Sequence, residues 1–321
     1  VKVALLFPGQ GAQKPGMGKE FVDISSSARA VFEKANEVLG FDIARLCFEG
    51  PEEELIKTIN TQPALFVTEI AALEALKERV GEIGNFVAGH SIGEYSAVVA
   101  SGALTFEDGL RLVKTRARLM QDAALDYPAE GSMAAIMGDN LEIVNSICRE
   151  VQEKMGKVCQ IANWNSPQQV VISGDKNAIE EAISLLKKGG IKKVIPLKVN
   201  AAFHTPLMQK AANLLKQVIN DINFSTPRIP LVNNLRGKII TTGEGVKNSL
   251  LFQMDSPVLW DKIMDSLLSV NVDYYIELGV GKVLTGLFKK KDKTVKIFNV
   301  EDKDTLMEVS EFLNKKIKEM E

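Results

Sequence analysis

The stretch Gly89-His90-Ser91-Ile92-Gly93 carries residue types and a spacing that could do chemistry. It is a G-x-S-x-G pentapeptide. Apolar residues lead in from Phe86, and a short apolar segment, Tyr95 to Ala100, leads out. A strand that turns sharply into a helix leaves the serine hydroxyl exposed at the tip. The helix N-terminus beyond it offers free N–H groups and a partial positive charge to a developing oxyanion. A serine hydroxyl is a weak nucleophile until a base takes its proton, and histidine is the usual base near neutral pH. The chain has two histidines. His90 sits inside the turn, where its side chain should diverge from the hydroxyl of Ser91. His204, in Asn200-Ala-Ala-Phe-His-Thr-Pro-Leu-Met208, is therefore the candidate base by elimination.

The elements around these residues alternate between strands and helices. Val3–Phe7 is a predicted strand that runs into the glycine-bearing loop Pro8–Gln13. Helices are expected over Ser27–Leu39, from Pro51, and over Gln62–Val80, where Leu65, Ile70, Leu73 and Leu76 keep helical spacing. Thr105-Phe-Glu-Asp108 resembles a capping box and opens a helix to about Leu125. Arg111, Arg116 and Arg118 lie on that helix, and periodicity alone reads each of them as a solvated charge. From Ser132 the order becomes strand, helix, strand, strand, helix, strand, ending at Lys193–Leu197, which is the ferredoxin-like βαββαβ arrangement.

A second stretch of the larger unit follows. Ile229–Val232 and Tyr274–Leu278 read as strands, and Ser256-Pro257 reads as the cap and first position of a helix through Leu268. Gly279-Val-Gly-Lys282 fails the phosphate-loop pattern because Val283 follows the lysine, and it reads as a strand-to-helix turn. Lys289–Lys293 reads as a solvated loop, and Asp304–Met320 as an amphipathic helix. The expected architecture is a hydrolase-like α/β core with a mostly parallel sheet, built from 1–126 and 200–321. A ferredoxin-like small domain, 127–199, is inserted into it.

Composition sets the class. The 321 residues are 45% hydrophobic and 25% charged, with a net charge of −2, which argues against a general nucleic-acid binder. No apolar run is long enough to span a bilayer, and Val3–Phe7, broken at once by Pro8-Gly9, reads as a buried strand and not a signal peptide. Cys47, Cys148 and Cys159 show no C-x-x-C spacing, which fits free thiols in a reducing cytoplasm and no structural metal.

Several separated motifs occur in order: Phe7-Pro-Gly-Gln-Gly-Ala-Gln13, Thr61-Gln-Pro-Ala64, Gly89-His-Ser-Ile-Gly-Glu94, Arg116-Ala-Arg-Leu-Met-Gln121, Asn163-Trp-Asn-Ser-Pro167, Phe203-His204, Val232-Asn-Asn234, and Gln253 with Ser256-Pro257. Through them the chain resembles, nearly end to end, the malonyl-CoA:acyl carrier protein transacylases of fatty-acid synthesis and the related acyltransferase domains of polyketide synthases. The resemblance implies that Ser91 is malonylated with His204 as its base, and that the backbone N–H groups of Gln10 and Ile92 form the oxyanion hole. It also implies that Arg116 clamps the malonyl carboxylate and that the Gln253 position helps orient His204 through an acceptor, making a dyad. Phe203 and Asn163 fall among the substrate-binding positions, with phenylalanine before the histidine accompanying malonyl use.

The implied partners are malonyl-CoA and acyl carrier protein, with no cofactor, nucleic acid or membrane, and the protein is expected to be a monomer. Acyl carrier proteins are acidic, so Lys187, Lys188, Lys192 and Lys193 are the candidate docking patch, although lysines in a helix's last turn also suit its dipole. Other readings of the same residues are a stand-alone acyltransferase serving a polyketide synthase, a serine thioesterase or hydrolase, and a catalytically idle carrier-docking protein. Hydrolases of this fold usually place the acid between serine and histidine and the histidine near the C-terminus, unlike His204.

Overall fold

The fold is described from a computed structural model, over residues 1–126, 130–139 and 141–319. The expected start of the small domain at 127, and Met320 of the last helix, lie outside the described residues. Among the described residues, ten strands form two sheets. The first contains β1 (Val3–Phe7), β2 (Phe86–Gly89), β7 (Leu231–Val232), β8 (Ile239–Ile240), β9 (Tyr274–Leu278) and β10 (Ile297–Val300), in the order β10-β9-β1-β2-β7-β8. All its pairings are parallel except β7 with β8. Strands β1 and β9 are buried along their whole length, as strands of a parallel sheet are when helices cover both faces, and the buried Glu277 of β9 accepts from the backbone N–H groups of Leu284 and Thr285.

The second sheet is antiparallel. It is built from β3 (Gly131–Met137), β4 (Cys159–Ser166), β5 (Gln169–Asp175) and β6 (Lys193–Pro196), ordered β4-β5-β3-β6. With helices Glu142–Met155 and Lys176–Lys188 between strands, this is the expected βαββαβ order. Both helices turn an apolar face (Val144, Cys148 and Val151; Ile179, Ala182 and Leu186) into a core of their own. The three cysteines are buried and free. Among the described residues no helix is long and apolar enough to cross a membrane.

The helix Thr58–Val80 runs through the larger core and buries nearly every residue from Thr61 to Leu76. It starts four residues before the expected Gln62, with Pro63 inside it. The early start is supported from outside the helix. Gln121 Oε1 accepts the Ile59 N–H at 3.1 Å, satisfying a first-turn donor that has no partner within the helix.

Two expectations are corrected. Ser256-Pro257 does not open a helix, which begins at Trp260 instead. The residues before it are extended because β4 claims them: Val258 N–H donates to the Ala162 carbonyl at 2.8 Å, and the Val258 carbonyl accepts from Trp164 N–H at 2.9 Å. Lys289–Lys291 are not a solvated loop but the last turn of the helix Val283–Lys291. Three cations there complement the helix dipole, and Lys291 is paired with Asp261 at 2.6 Å and Asp265 at 2.7 Å.

The parallel sheet aims the turn after β2. Phe7 pairs with Gly89, so β1 ends beside the elbow, and the helix Gly93–Ala100 crosses back over both strands. A Cβ on Gly89 would overlap the backbone carbonyl of Gly93, and one on Gly93 would overlap the carbonyls of Phe7 and Pro8. Backbone cannot give way as a flexible side chain can. Gly93→Ala is therefore expected to cost about 3 kcal/mol or more, read as a lowered urea midpoint at an unchanged slope.

Candidate active site

The candidate residues arrive from both sheets. Ser91 follows β2, and His204 lies in the segment that returns from β6 to the larger sheet. Both have left-handed backbone, φ 53° for Ser91 and 59° for His204, a conformation that costs a side-chain-bearing residue of order 1–3 kcal/mol. Asn234 fixes the elbow, since its Oδ1 accepts the Ser91 N–H at 2.8 Å and its Nδ2 donates to the Gly89 carbonyl at 2.6 Å.

Ser91 Oγ and His204 Nε2 are 2.8 Å apart. On the other side of the ring, Nδ1 lies 3.1 Å from two backbone carbonyls, those of Gln253 and Ser256. Carbonyl oxygens only accept, so Nδ1 carries the hydrogen and the Nε2 lone pair faces the serine hydroxyl. His90 points away, its Nε2 being 2.8 Å from Asn165 Oδ1. Burial lowers the His204 pKa to about 3, the positive charge of Arg116 adds to the shift, and the two carbonyls oppose it. The ring is thus neutral, and able to accept a proton, across the physiological range.

Arg116 is not a solvated charge: it is 1% exposed. Its Nη1 donates to Gln62 Oε1 at 2.7 Å, and its Nη2 donates to Gln253 Oε1 at 3.0 Å and to Ser91 Oγ at 3.1 Å. The guanidinium carbon lies 5.1 Å from the centre of the Tyr95 ring. Burial pulls its pKa down, while Tyr95 and the charge of Glu94 push it back. Its direct hydrogen-bond partners are neutral oxygens, which leaves a buried cation beside the serine suited to an anionic ligand.

A cavity of about 520 Å³ opens onto these groups and is lined by Gln10, Ser91, Ile92, Arg116, Phe203 and His204. Asn163, 6% exposed, lines it too. Gln253 reaches the site from behind, with its backbone carbonyl on His204 and its amide on Arg116. Ile195 and Leu197, exposed at the end of β6, stand at the cavity wall with Lys198. Lys187, Lys188, Lys192 and Lys193 are not brought into the cavity. They are exposed at the end of the helix Lys176–Lys188 and the start of β6.

Sequence reasoning gave no role to Gln62, Asn234 or the Ser256 carbonyl. All three fall inside the motifs quoted above, so a signal existed, but spacing alone does not say what they touch.

A half-buried serine elbow open to the cavity, a neutral imidazole on it and a buried cation beside it, on an α/β scaffold, make the site of an acyl-transfer enzyme. The model of the acyl transferase domain family matches residues 4–300. The chain belongs to the acyl transferase family. It is 42% identical over 306 residues to the malonyl CoA-acyl carrier protein transacylase of Bacillus subtilis, covering 95% of each chain. Among solved structures it is similar to the malonyl CoA-acyl carrier protein transacylase from Clostridium perfringens, at TM-score 0.92 and 37% identity over 100% of both chains. A malonyl-transacylase in complex with its type II PKS acyl-carrier protein superposes at TM-score 0.92 with 38% identity, over 97% of this chain and 100% of that one.

Because the folded His204 pKa lies below the ordinary histidine value of about 6.5, its ring should bind no proton at pH 5.5. The unfolded chain would bind one there, so this residue's contribution to stability is complete above about 6.5 and is lost progressively as pH falls toward 3. An NMR titration should find the His204 ring nitrogens unchanged between pH 8 and 5.5. In Arg116→Ala, which removes the repelling charge, the titration should move up toward the ordinary value.

Proposed function

We propose that this enzyme transfers a malonyl group from malonyl-CoA to the phosphopantetheine thiol of acyl carrier protein, through a malonyl ester on Ser91, in fatty-acid synthesis. The single observation that carries the malonyl reading is Arg116, a buried guanidinium with Nη2 at 3.1 Å from the Ser91 hydroxyl. A planar fork there suits a carboxylate on the acyl group, which acetyl and simple fatty acyl groups lack.

In this reading His204 Nε2 takes the Ser91 proton as Oγ attacks the thioester carbonyl. The tetrahedral oxyanion faces the N–H groups of Gln10 and Ile92, in the cavity and at the start of the helix Gly93–Ala100. The C–S bond breaks, and His204 returns its proton to the departing CoA thiolate. The carrier's thiol then gives its proton to His204 and attacks the ester, and Ser91 Oγ leaves with that proton. The backbone acceptors on Nδ1 hold the ring through both halves, so the pair works as a dyad.

Phe203, 8% exposed at the cavity wall, limits room beside the α-carbon, and Asn163 adds a polar side chain there. No step in this reading calls on a cofactor. The carrier's acidic surface would meet Lys187, Lys188, Lys192 and Lys193, because the two latter lead into the strand whose far end reaches the cavity. The insert would then act as the docking unit beside a catalytic core.

A two-stage assay with radiolabelled malonyl-CoA tests the whole reading. The wild type should form a stable malonyl-enzyme that carrier thiol discharges, whereas release of free malonate would mean hydrolysis. Ser91→Ala should form no ester and lose roughly 10⁴-fold or more in turnover. Arg116→Ala should lose roughly 2–5 kcal/mol with malonyl-CoA and far less with acetyl-CoA. Reversing the four lysines to glutamate should slow discharge to carrier and leave loading from CoA unchanged.

A further inference from the structure

The polar groups around Arg116 form one directed hydrogen-bond chain, and its origin has no role in the steps above. Glu94, the residue after the elbow, is fully buried. Its Oε1 accepts from the Ser249 hydroxyl at 2.6 Å and from the Asn234 backbone N–H at 3.1 Å. Its Oε2 accepts from Gln253 Nε2 at 2.6 Å. Gln253 Nε2 also donates to the Ser91 carbonyl at 2.8 Å, and Gln253 Oε1 accepts from Arg116 Nη2 at 3.0 Å.

A side-chain amide between a carboxylate and a guanidinium has one favourable direction. The carboxylate only accepts, so it takes the NH2 end. The guanidinium only donates, so it takes the oxygen end. Each end is charge-assisted, and in a buried site reversing the amide would set donor against donor and acceptor against acceptor. Burial raises the Glu94 pKa, while its three donors and the charge of Arg116 lower it. The Asn234 N–H can neither rotate nor accept, so Glu94 Oε1 must serve it as an acceptor.

We propose that Glu94 is a positioning residue of the acyl-transfer site: it sets the direction of the Gln253 amide and through it holds Arg116 where the substrate carboxylate binds. This rests on the malonyl reading given above. Glutamine at 94 has one oxygen, which the fixed Asn234 N–H and the Ser249 hydroxyl would claim. Its NH2 would then face Gln253, the Gln253 amide would turn over, and its NH2 would meet Arg116, displacing the guanidinium. His204 uses the backbone carbonyl of Gln253, not its amide, so the imidazole stays in place. The damage should therefore fall on substrates that need Arg116.

The experiment is loading of Ser91 from malonyl-CoA and from acetyl-CoA by the wild type, Glu94→Gln, Arg116→Ala, Gln253→Met and the double variant Glu94→Gln/Gln253→Met. Methionine at 253 removes the amide that links Glu94 to Arg116 and leaves the backbone carbonyl on His204. Glu94→Gln should lower kcat/KM for malonyl-CoA by about 30-fold, mostly through KM, and change acetyl transfer less than about threefold. Added to Gln253→Met, the same substitution should cost malonyl loading less than about threefold more, because its route to Arg116 is already gone. Equal losses for both acyl groups, or a full loss of about 30-fold added to that of Gln253→Met, would make Glu94 a packing residue and overturn the proposal. An unchanged malonyl preference in Glu94→Gln, with the preference abolished in Arg116→Ala, overturns the positioning role and leaves the clamp standing. A preference unchanged in both overturns the clamp itself. Should Glu94→Gln fail to fold, Glu94→Asp decides: its carboxylate is one methylene short of Gln253, so a loss confined to malonyl-CoA upholds the proposal, and an equal loss for both acyl groups or none overturns it.

Discussion

A positive charge taken out of water beside a serine hydroxyl sets the terms for everything near it. A buried guanidinium is costly unless its N–H groups are met and a counter-charge lies close. Here Gln62, Gln253 and Ser91 meet three of them, the Tyr95 ring lies alongside, and Glu94 supplies the counter-charge one amide away. The direct partners are neutral, so the cation keeps its attraction for an incoming anion. The same charge lowers the His204 pKa, so one buried group both stays open to an anion and helps keep the imidazole neutral.

Holding that charge requires a rigid frame, and the parallel sheet supplies it. The elbow is pinned between β1 and the helix Gly93–Ala100 at a backbone crossing that admits no side chain at Gly89 or Gly93, and Asn234 ties its open face. His204 comes from the other side of the cavity. Gln160, on β4 of the antiparallel sheet, donates to its backbone carbonyl at 3.1 Å. The extended stretch before Trp260 also has a purpose in this frame. With Val258 bound to β4 instead of coiled into a helix, the Ser256 carbonyl is free to accept from His204. The two sheets therefore meet functionally at one imidazole.

Local rules made much of this legible in the sequence. The glycines at 89 and 93 are demanded by a turn five residues long, and the alternation of strand and helix periods separates the parallel core from the βαββαβ insert. With two histidines, elimination alone leads to His204. These features are short-range or compositional, so the order of residues determines them. Tertiary structure decided the rest. Periodicity reads Arg116 as solvated, and only the packing of its helix against Thr58–Val80 and the elbow buries it. Ser256-Pro257 has the chemistry of a helix start, yet a strand nearly a hundred residues earlier takes the backbone bonds of the next residue, Val258. The Glu94–Gln253–Arg116 chain joins residues 159 and 137 positions apart. Hydrogen-bond direction among such groups depends on which donors the fold brings within 3 Å, and no spacing along the chain encodes that.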